Sequence, residues 1–228
     1  VDPVRDAEII ETELMLADLD SLEKRLPNLQ KRARNRDAEA MAQIEIIEPI
    51  MEALREGQPV RAVIPAGHEE TVRRLQLLTS KPVLYVCNVE EDAAAEGNAF
   101  SRKVQAMAAA QGAAVVIVSA AIEAEVSQLE DAERREFLEG LGLKDSGLDR
   151  VIAAGYGLLG LRTYFTVGPK EARAWTITAG TKAPQAAAVI HNDFERGFIA
   201  CETVAYEDYV RYDGEAGAKE AGRLRVEG

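Results

Sequence analysis

Aromatic residues, cysteine and histidine are scarce in this sequence, and each scarcity argues against a class of function. Phe, Trp and Tyr make up 5% of the 228 residues, which argues against a broad aromatic platform for stacking nucleic-acid bases. The two isolated cysteines, Cys87 and Cys201, argue against a disulfide framework, and we expect a cytoplasmic protein. His68 and His191 have no partner at metal-ligand spacing, so we predict no protein-held metal site.

Positive charge is outnumbered by negative charge, and the apolar runs are short. The net charge is -12, from 27 basic and 39 acidic residues, which argues against nucleic-acid binding by bulk charge but leaves room for a local basic patch. No apolar run approaches the roughly 20 residues of a membrane span, so we predict no membrane partner. The 47% of hydrophobic residues is enough to build a core.

Residues 1–57 carry the spacing of two amphipathic helices. Apolar residues recur every three or four positions in each: Met15, Leu19, Leu22, Leu26 and Leu29, then Ala40, Ile44, Ile47, Met51 and Leu54. The polar link 34–37 joins the two stripes and predicts an antiparallel hairpin, with Asp37 as N-cap of the second helix. Pro27 is expected to kink the first helix or end its regular part.

The short apolar run 82–88 predicts a fully buried strand, and the run 115–118 predicts the next buried strand. Between them Ser101 is the expected cap of a helix through Ala110, which stops at Gly112. Strand, helix and strand in this order predict a parallel βαβ unit, in which ligands bind at the carboxyl ends of the strands. Asn88 and Ser119 both fall at such ends.

The remainder of the chain changes from helical spacing to alternation. Helices are predicted over 131–141 and 146–159, then a β-hairpin over 163–177 with a turn at Gly168-Pro169. A helix over 184–194 and a strand over 198–204 follow. Hairpin, helix and strand form the opening of a ubiquitin-like β-grasp.

The tetrapeptide Asn88-Val89-Glu90-Glu91 follows the first strand, where a GTPase carries Asn-Lys-x-Asp to recognise guanine. Here Val89 replaces the lysine and Glu91 the aspartate, so the loop is expected to recognise guanine poorly. The alternative is an ordinary strand-to-loop turn. Ser119-Ala120-Ala121 follows the second strand and is typical of the Ser-Ala-x loop, whose backbone N–H groups meet the base. The alternative for Ser119 is a simple helix cap, and both roles are compatible.

A cluster of cations, Lys31, Arg32, Arg34 and Arg36, lies at the predicted tip of the hairpin. It favours contact with RNA or ribosomal phosphates. The alternative is a solvated helix end, where cations are favoured by the helix dipole.

Longer segments of the sequence resemble the YchF family, Obg-related P-loop nucleotide hydrolases that prefer ATP. The segments that carry the resemblance are 2–8, 13–19, 78–89, 147–152, 163–168, 173–177, 183–187 and 190–199. The resemblance implies an α/β fold: the distal part of a P-loop NTPase with a Rossmann-like parallel sheet, an inserted antiparallel coiled-coil hairpin and a β-grasp TGS domain. The implied boundaries are 1–12 for helix entry, 13–66 for the hairpin, 67–145 for the nucleotide-binding domain and 146–228 for a TGS domain truncated at its C-terminus.

The resemblance further implies that the intact protein binds and hydrolyses ATP, with weaker use of GTP, together with Mg²⁺. It implies ribosome or RNA association through the hairpin and TGS domain, and base recognition by Asn88, Val89, Glu91, Ser119, Ala120 and Ala121. This sequence departs from the family pattern because it contains no Gly-x-x-x-x-Gly-Lys-Ser/Thr phosphate loop. We therefore expect that the chain lacks the N-terminal phosphate-loop segment and the extreme C-terminus, contains no catalytic residue, and is inactive by itself. The alternatives are a non-catalytic ribosome- or RNA-binding module and a structural coiled-coil adaptor. No oligomeric state is predicted.

Overall fold

The computed structural model describes residues 2–168 and 170–228, which form two compact units divided between Leu158 and Leu159. The α-helices are α1 (Pro3–Arg34), α2 (Ala38–Arg55), α3 (Glu69–Leu75), α4 (Ala99–Gln111), α5 (Ala120–Val126), α6 (Asp131–Gly140), α7 (Gly147–Leu158), α8 (Ala183–Ile190), α9 (Asn192–Arg196), α10 (Tyr206–Arg211) and α11 (Glu215–Glu220). The strands are β1 (Leu84–Asn88), β2 (Ala114–Val118), β3 (Leu161–Val167), β4 (Ala172–Thr178), β5 (Cys201–Thr203) and β6 (Arg225–Glu227). Short 3-10 helices cover Val60–Ala62 and Glu91–Ala93.

The predicted hairpin is confirmed as α1 and α2, which run antiparallel around a shared apolar core. Leu22, Ile47 and Ile50 are fully buried in that core. Asp37 caps α2 as predicted, because its Oδ1 accepts the N–H of Ala40 at 3.1 Å. Pro27 does not end α1, which continues as one helix to Arg34. Packing along the length of α2 outweighs the one backbone hydrogen bond that a proline removes.

A buried carboxylate joins the hairpin to the segment that leads into β1. Asp18 is 3% exposed and accepts hydrogen bonds from Leu78 N at 2.7 Å, Thr79 N at 2.8 Å and Thr79 Oγ1 at 2.7 Å. Thr79 Oγ1 in turn accepts the N–H of Val60 at 3.1 Å, just after α2. One side chain of α1 therefore holds the chain both where it leaves the hairpin and where it approaches the sheet.

Strands β1 and β2 are parallel, as predicted, with Asn88 opposite Val118 and α4 as the crossover. The predicted full burial of the first strand is wrong, since Val86 is 50% exposed. The Val86 side chain lies on a face of the sheet, where it lines an open groove together with Ile10 and Leu14.

The cap of α4 also differs from the prediction, because Asn98 rather than Ser101 is its N-cap. The Asn98 side chain accepts the Ser101 N–H at 2.9 Å while Ser101 Oγ accepts the Asn98 N–H at 2.9 Å. This reciprocal pair forms a capping box. Gly112 ends the helix in the left-handed conformation, as predicted.

Helix α7 belongs to the first compact unit, where it packs against β1 and β2. Ser146 and Asp149 bond reciprocally at its start, as their spacing predicts. The Glu123 carboxylate also accepts the N–H groups of Gly147 and Leu148 at 2.6 and 3.1 Å. The compact units divide after Leu158, and α7 packs on the sheet of the first unit. The domain boundary implied at residue 146 stays a prediction.

The second unit opens with the antiparallel pair β3–β4, in which Tyr164 lies opposite Trp175. Tyr164 Oη donates to the Ala186 carbonyl at 2.9 Å, which anchors α8 on that face. The turn predicted at Gly168-Pro169 falls partly outside the described residues, because Pro169 is not among them. Hairpin, helix and strand occur in the predicted order, but β5 pairs with β6. The assignment of this unit as a TGS β-grasp stays a prediction.

The single helix predicted over 184–194 is wrong, because α8 and α9 are separate. His191 between them is extended, with φ of -159°. Its Nδ1 accepts the N–H of Asp193 at 3.2 Å and so starts the second helix. The strand predicted over 198–204 is also shorter than expected, covering Cys201–Thr203.

Candidate functional site

The two loops singled out in the sequence meet at one end of the parallel strands. Asn88 ends β1, and its Oδ1 accepts the backbone N–H of Ala120 at 2.9 Å. The next N–H, of Val89, donates to the Val118 carbonyl at 2.9 Å. The fold therefore brings Asn88 and the Ser119-Ala120-Ala121 loop into direct contact through side chain and backbone.

The bond to Ala120 determines what Asn88 can offer a ligand. Because Oδ1 is occupied as an acceptor, the free capacity of this exposed side chain lies in its two Nδ2–H donors. Adenine and guanine both present an N7 acceptor on the same edge. The Asn88 amide is thus arranged to hold either purine, and it does not by itself distinguish the two.

Ser119 is 2% exposed, and its Oγ has no hydrogen-bond partner within the described chain. It stands at the N-cap position of α5 but makes no side-chain capping bond. The Ser119 hydroxyl therefore does not cap α5, which was the alternative role for this residue. A buried hydroxyl with unused capacity lies immediately before the residue bonded to Asn88.

The loop after Asn88 is fixed by contacts that the sequence did not reveal. Glu90 Oε2 accepts from Asn98 Nδ2 at 3.1 Å, which closes the loop over the start of α4. Val89 is 8% exposed, so its side chain packs into the protein and leaves little surface for covering a base. Glu91 is exposed at the start of the 3-10 helix Glu91–Ala93. Covering of a base ring by Val89 and contact by Glu91 both stay predictions.

A groove of about 550 Å³ runs beside β1, and Asn88 and Val89 are among its lining residues. Glu91, Ser119, Ala120 and Ala121 are not part of this lining. Cys87 lies in the groove, and burial raises the pKa of its thiol. A raised pKa keeps the thiol protonated near neutral pH, so Cys87 is a poor nucleophile.

The hairpin tip places its four predicted cations in two different roles. Arg32 Nε donates to Asp37 Oδ2 at 2.8 Å, and its Nη2 lies 3.4 Å from Glu39 Oε2. The hydrogen bond from Ala40 N, followed by that from Arg32, lowers the pKa of the Asp37 carboxyl. Arg32 therefore supports the turn between the helices.

Lys31, Arg34 and Arg36 are exposed and form no ion pair within the described part of the chain. Arg36 has φ of 62°, in the left-handed region that costs a non-glycine residue roughly 1 kcal/mol or more. The tip thus presents three unpaired cations, one of them on a strained backbone.

The structure also bears on a metal site and on a membrane-spanning helix. Across residues 2–168 and 170–228 no group of three His, Cys, Asp or Glu side chains is arranged to hold a metal ion. Within the same ranges no helix is both long and apolar enough to cross a bilayer.

Comparison with known proteins identifies the family. Residues 161–228 match the family model YchF-GTPase_C, described as "Protein of unknown function (DUF933)". The Ribosome-binding ATPase YchF of Haemophilus influenzae is 49% identical over 229 residues, covering 100% of this chain and 63% of the relative. The protein of the same name from Bacillus subtilis is 49% identical over 231 residues, with the same two coverages. This chain belongs to the YchF family.

The solved structure of the Schizosaccharomyces pombe YchF GTPase supports the same assignment for the fold. It matches with a TM-score of 0.84 and 35% sequence identity, covering 100% of this chain and 63% of the other. The mixed α/β architecture is therefore that of YchF proteins throughout the described chain. The chain spans 63% of the length of these relatives, and the similarity extends no further than that part.

Proposed function

We propose that this chain supplies the base-recognition and partner-binding parts of a cytoplasmic YchF-type nucleotide hydrolase. That protein uses ATP with Mg²⁺ in preference to GTP and associates with the ribosome through the hairpin and the second unit. The observation that carries the nucleotide proposal is the hydrogen bond from Ala120 N to Asn88 Oδ1, which joins the two loops at 2.9 Å. The ribosome proposal is supported by the relatives, whose name describes them as ribosome-binding.

The N–H donors that remain free in the two loops support a preference for adenine. Guanine presents an O6 acceptor where adenine presents an N6 donor. The Ala120 N–H, in the loop that meets the base in GTPases, is already used by Asn88 and is not available to O6. Glu91, an acceptor when ionised, replaces the aspartate that pairs with guanine. A site with one donor fewer and an altered carboxylate favours the adenine pattern.

Titration with ATP and GTP tests this proposal most directly, using the wild-type chain and Asn88→Asp. The aspartate keeps an acceptor for Ala120 N but removes the Nδ2 donors and places negative charge near N7. We expect ATP to bind more tightly than GTP, and the variant to weaken both by about tenfold. Asn35→Asp at the exposed hairpin tip is the matched control. Tighter GTP binding, or an unchanged affinity in Asn88→Asp, would contradict the proposal.

The residues that contact phosphates in P-loop enzymes are not among these 228, because the Gly-x-x-x-x-Gly-Lys-Ser/Thr motif is absent. We therefore expect no ATP hydrolysis by this chain alone, with phosphate release as the measurement. Release above background by a preparation free of other hydrolases would contradict this expectation.

Ribosome contact is proposed for Lys31, Arg34 and Arg36, the cations without an ion pair. Arg32 is excluded from the contact because it is bonded to Asp37, and its reversal would also damage the turn. Reversal of the other three to Glu is expected to abolish co-sedimentation with ribosomes and to leave ATP affinity unchanged. Reversal of the exposed Arg102 on α4 is the charge control.

The outcome also separates this proposal from the alternatives. Loss of ATP binding in the triple variant would mean that the tip belongs to the nucleotide site. Ribosome binding without any nucleotide binding by wild type would favour the non-catalytic RNA-binding module.

A further inference from the structure

A second pocket lies on the side of the helical hairpin, away from the groove beside β1. Its volume is about 290 Å³, and it is formed by residues of α1, α2 and α3. Leu29, Ile47 and Leu75 form an apolar floor, and all three are buried. The volume is at the lower end of the range for ligand pockets, which suits one planar ring better than a large ligand.

Two amide side chains line this pocket from different helices. Asn28 belongs to α1 and Gln43 to α2. Gln43 Nε2 donates to Glu39 Oε1 at 3.3 Å, so its Oε1 is left as an acceptor. Asn28 has no hydrogen bond within the described chain, so its amide retains both donors and its acceptor. Asparagine and glutamine amides match the donor and acceptor pattern on the edge of a nucleobase.

The charge around the pocket suits an anionic backbone. Arg25 lines it and forms no ion pair within residues 2–168 and 170–228, whereas Lys24 is bonded to Asp20 at 2.6 Å. Lys31 follows Asn28 by three positions, so the two side chains lie on the same face of α1. The nearby carboxylates of Asp20 and Glu39 already have partners. Arg25 and Lys31 therefore place unpaired positive charge close to the pocket.

We propose that this pocket binds one unpaired base of a single-stranded RNA whose phosphates contact the cations of the hairpin tip. The inference rests on the proposed function, because it assumes that the tip contacts RNA. Arg34 lies six residues beyond Asn28 along α1, a rise of roughly 9 Å, so one strand reaches both places. An acidic peptide would use the same cations, and competition between peptide and RNA is therefore one outcome of the test.

Fluorescence anisotropy with a labelled single-stranded RNA tests the pocket, with a duplex of the same length and an abasic strand as comparison probes. Asn28→Leu and Gln43→Leu fill the pocket and remove the amides at helix positions that accept leucine. We expect each to weaken binding of the single strand about tenfold and to leave duplex binding unchanged. The abasic strand is expected to bind wild type as weakly as the normal strand binds the variants. Gln30→Leu, an exposed amide of α1 outside the pocket, is the matched control and is expected to change nothing.

The results distinguish failure of the pocket from failure of the proposed function. Unchanged single-strand affinity in both pocket variants, together with weaker binding after reversal of Arg34 and Arg36, overturns the pocket alone. Equal weakening of single strand and duplex overturns base insertion. Absence of binding to every RNA by wild type overturns both the pocket and the RNA contact at the tip. In a further outcome, an acidic peptide displaces the RNA and binds more weakly to Asn28→Leu than to wild type. That result would assign the pocket to a peptide and would also overturn the inference.

Discussion

At the scale of single residues, Asp18 shows how much one buried carboxylate can organise. It forms no ion pair within the described chain and instead accepts hydrogen bonds from two backbone N–H groups and one hydroxyl. No spacing rule singles it out, because it lies within the apolar stripe of α1, where a charged residue would be expected to face water. Its importance follows from the return of Leu78 and Thr79 to the base of the hairpin.

Asp18→Ala is expected to destabilise the chain by about 3 kcal/mol, since it leaves three donors without partners in a region that excludes water. Denaturant unfolding followed by circular dichroism measures the change. Asp20→Ala is the control, because Asp20 is exposed and its ion pair with Lys24 contributes less than about 1 kcal/mol. Equal effects of the two substitutions would show that the bonds of Asp18 are replaced by water.

Asp37 gives the hairpin a dependence on pH. The N–H of Ala40, followed by Arg32, lowers the pKa of this carboxyl below its ordinary value. Its stabilising contribution is therefore fully present above the ordinary pKa of an aspartate and is lost as the pH falls through the lower folded value. Asn keeps the N-cap but does not titrate, so the difference in Tm between wild type and Asp37→Asn should narrow as the pH falls into the acid range. A difference that stays constant with pH would exclude this linkage.

At the scale of elements, α1 is notable for continuing through Pro27. Proline removes a backbone donor and crowds the preceding turn, which costs about 3 kcal/mol in a helix interior. Pro27 is exposed, so its replacement leaves no cavity. Pro27→Ala is therefore expected to raise the free energy of unfolding by about 1 to 3 kcal/mol, as measured by denaturant unfolding.

Gln30→Ala on the same helix is the control for Pro27→Ala, because both residues are exposed and only one lacks a backbone N–H. A loss of stability in Pro27→Ala would mean that α2 packs against a bend that the proline creates.

Element types were predictable from spacing, whereas some element ends were not. The stripes of α1 and α2 and the short apolar runs of β1 and β2 correctly indicated helices and strands. The residue type of Ser101 is typical of an N-cap, but Asn98 stands three positions earlier and bonds to it reciprocally. His191 interrupts a helix-forming stretch because its ring, rather than the backbone, accepts the Asp193 N–H. Such local competition between side chains is settled by geometry that periodicity does not contain.

At the scale of the whole molecule, an overall charge of -12 coexists with a basic hairpin tip. The general repulsion of polyanions then makes binding depend on a few local contacts. If Lys31, Arg34 and Arg36 each neutralise one phosphate of a single strand, the logarithm of the affinity should fall with the logarithm of salt concentration with a slope of about -2. Anisotropy titrations over a range of salt concentrations measure this slope.

Arg36→Glu is expected to reduce the slope by about 0.7 to 1, since it removes one contact and introduces repulsion. Arginine and glutamate both carry a Cβ and meet the same steric cost at the φ of 62° found here, so the comparison isolates charge. Binding that does not respond to salt would show that phosphate contacts do not carry the association.

The sequence by itself determined the types of the principal elements, the positions of Asn88 and Ser119 after their strands, and the resemblance to YchF proteins. These depend on periodicity, turn chemistry and local motifs, which are properties of neighbouring residues. The tertiary structure decided that Asn88 Oδ1 is occupied by Ala120, that Val89 is buried, and that Arg32 supports the tip. Each of these depends on contacts between segments far apart in the chain or across a turn, and a hydrogen-bonding group used within the fold is no longer free for a ligand.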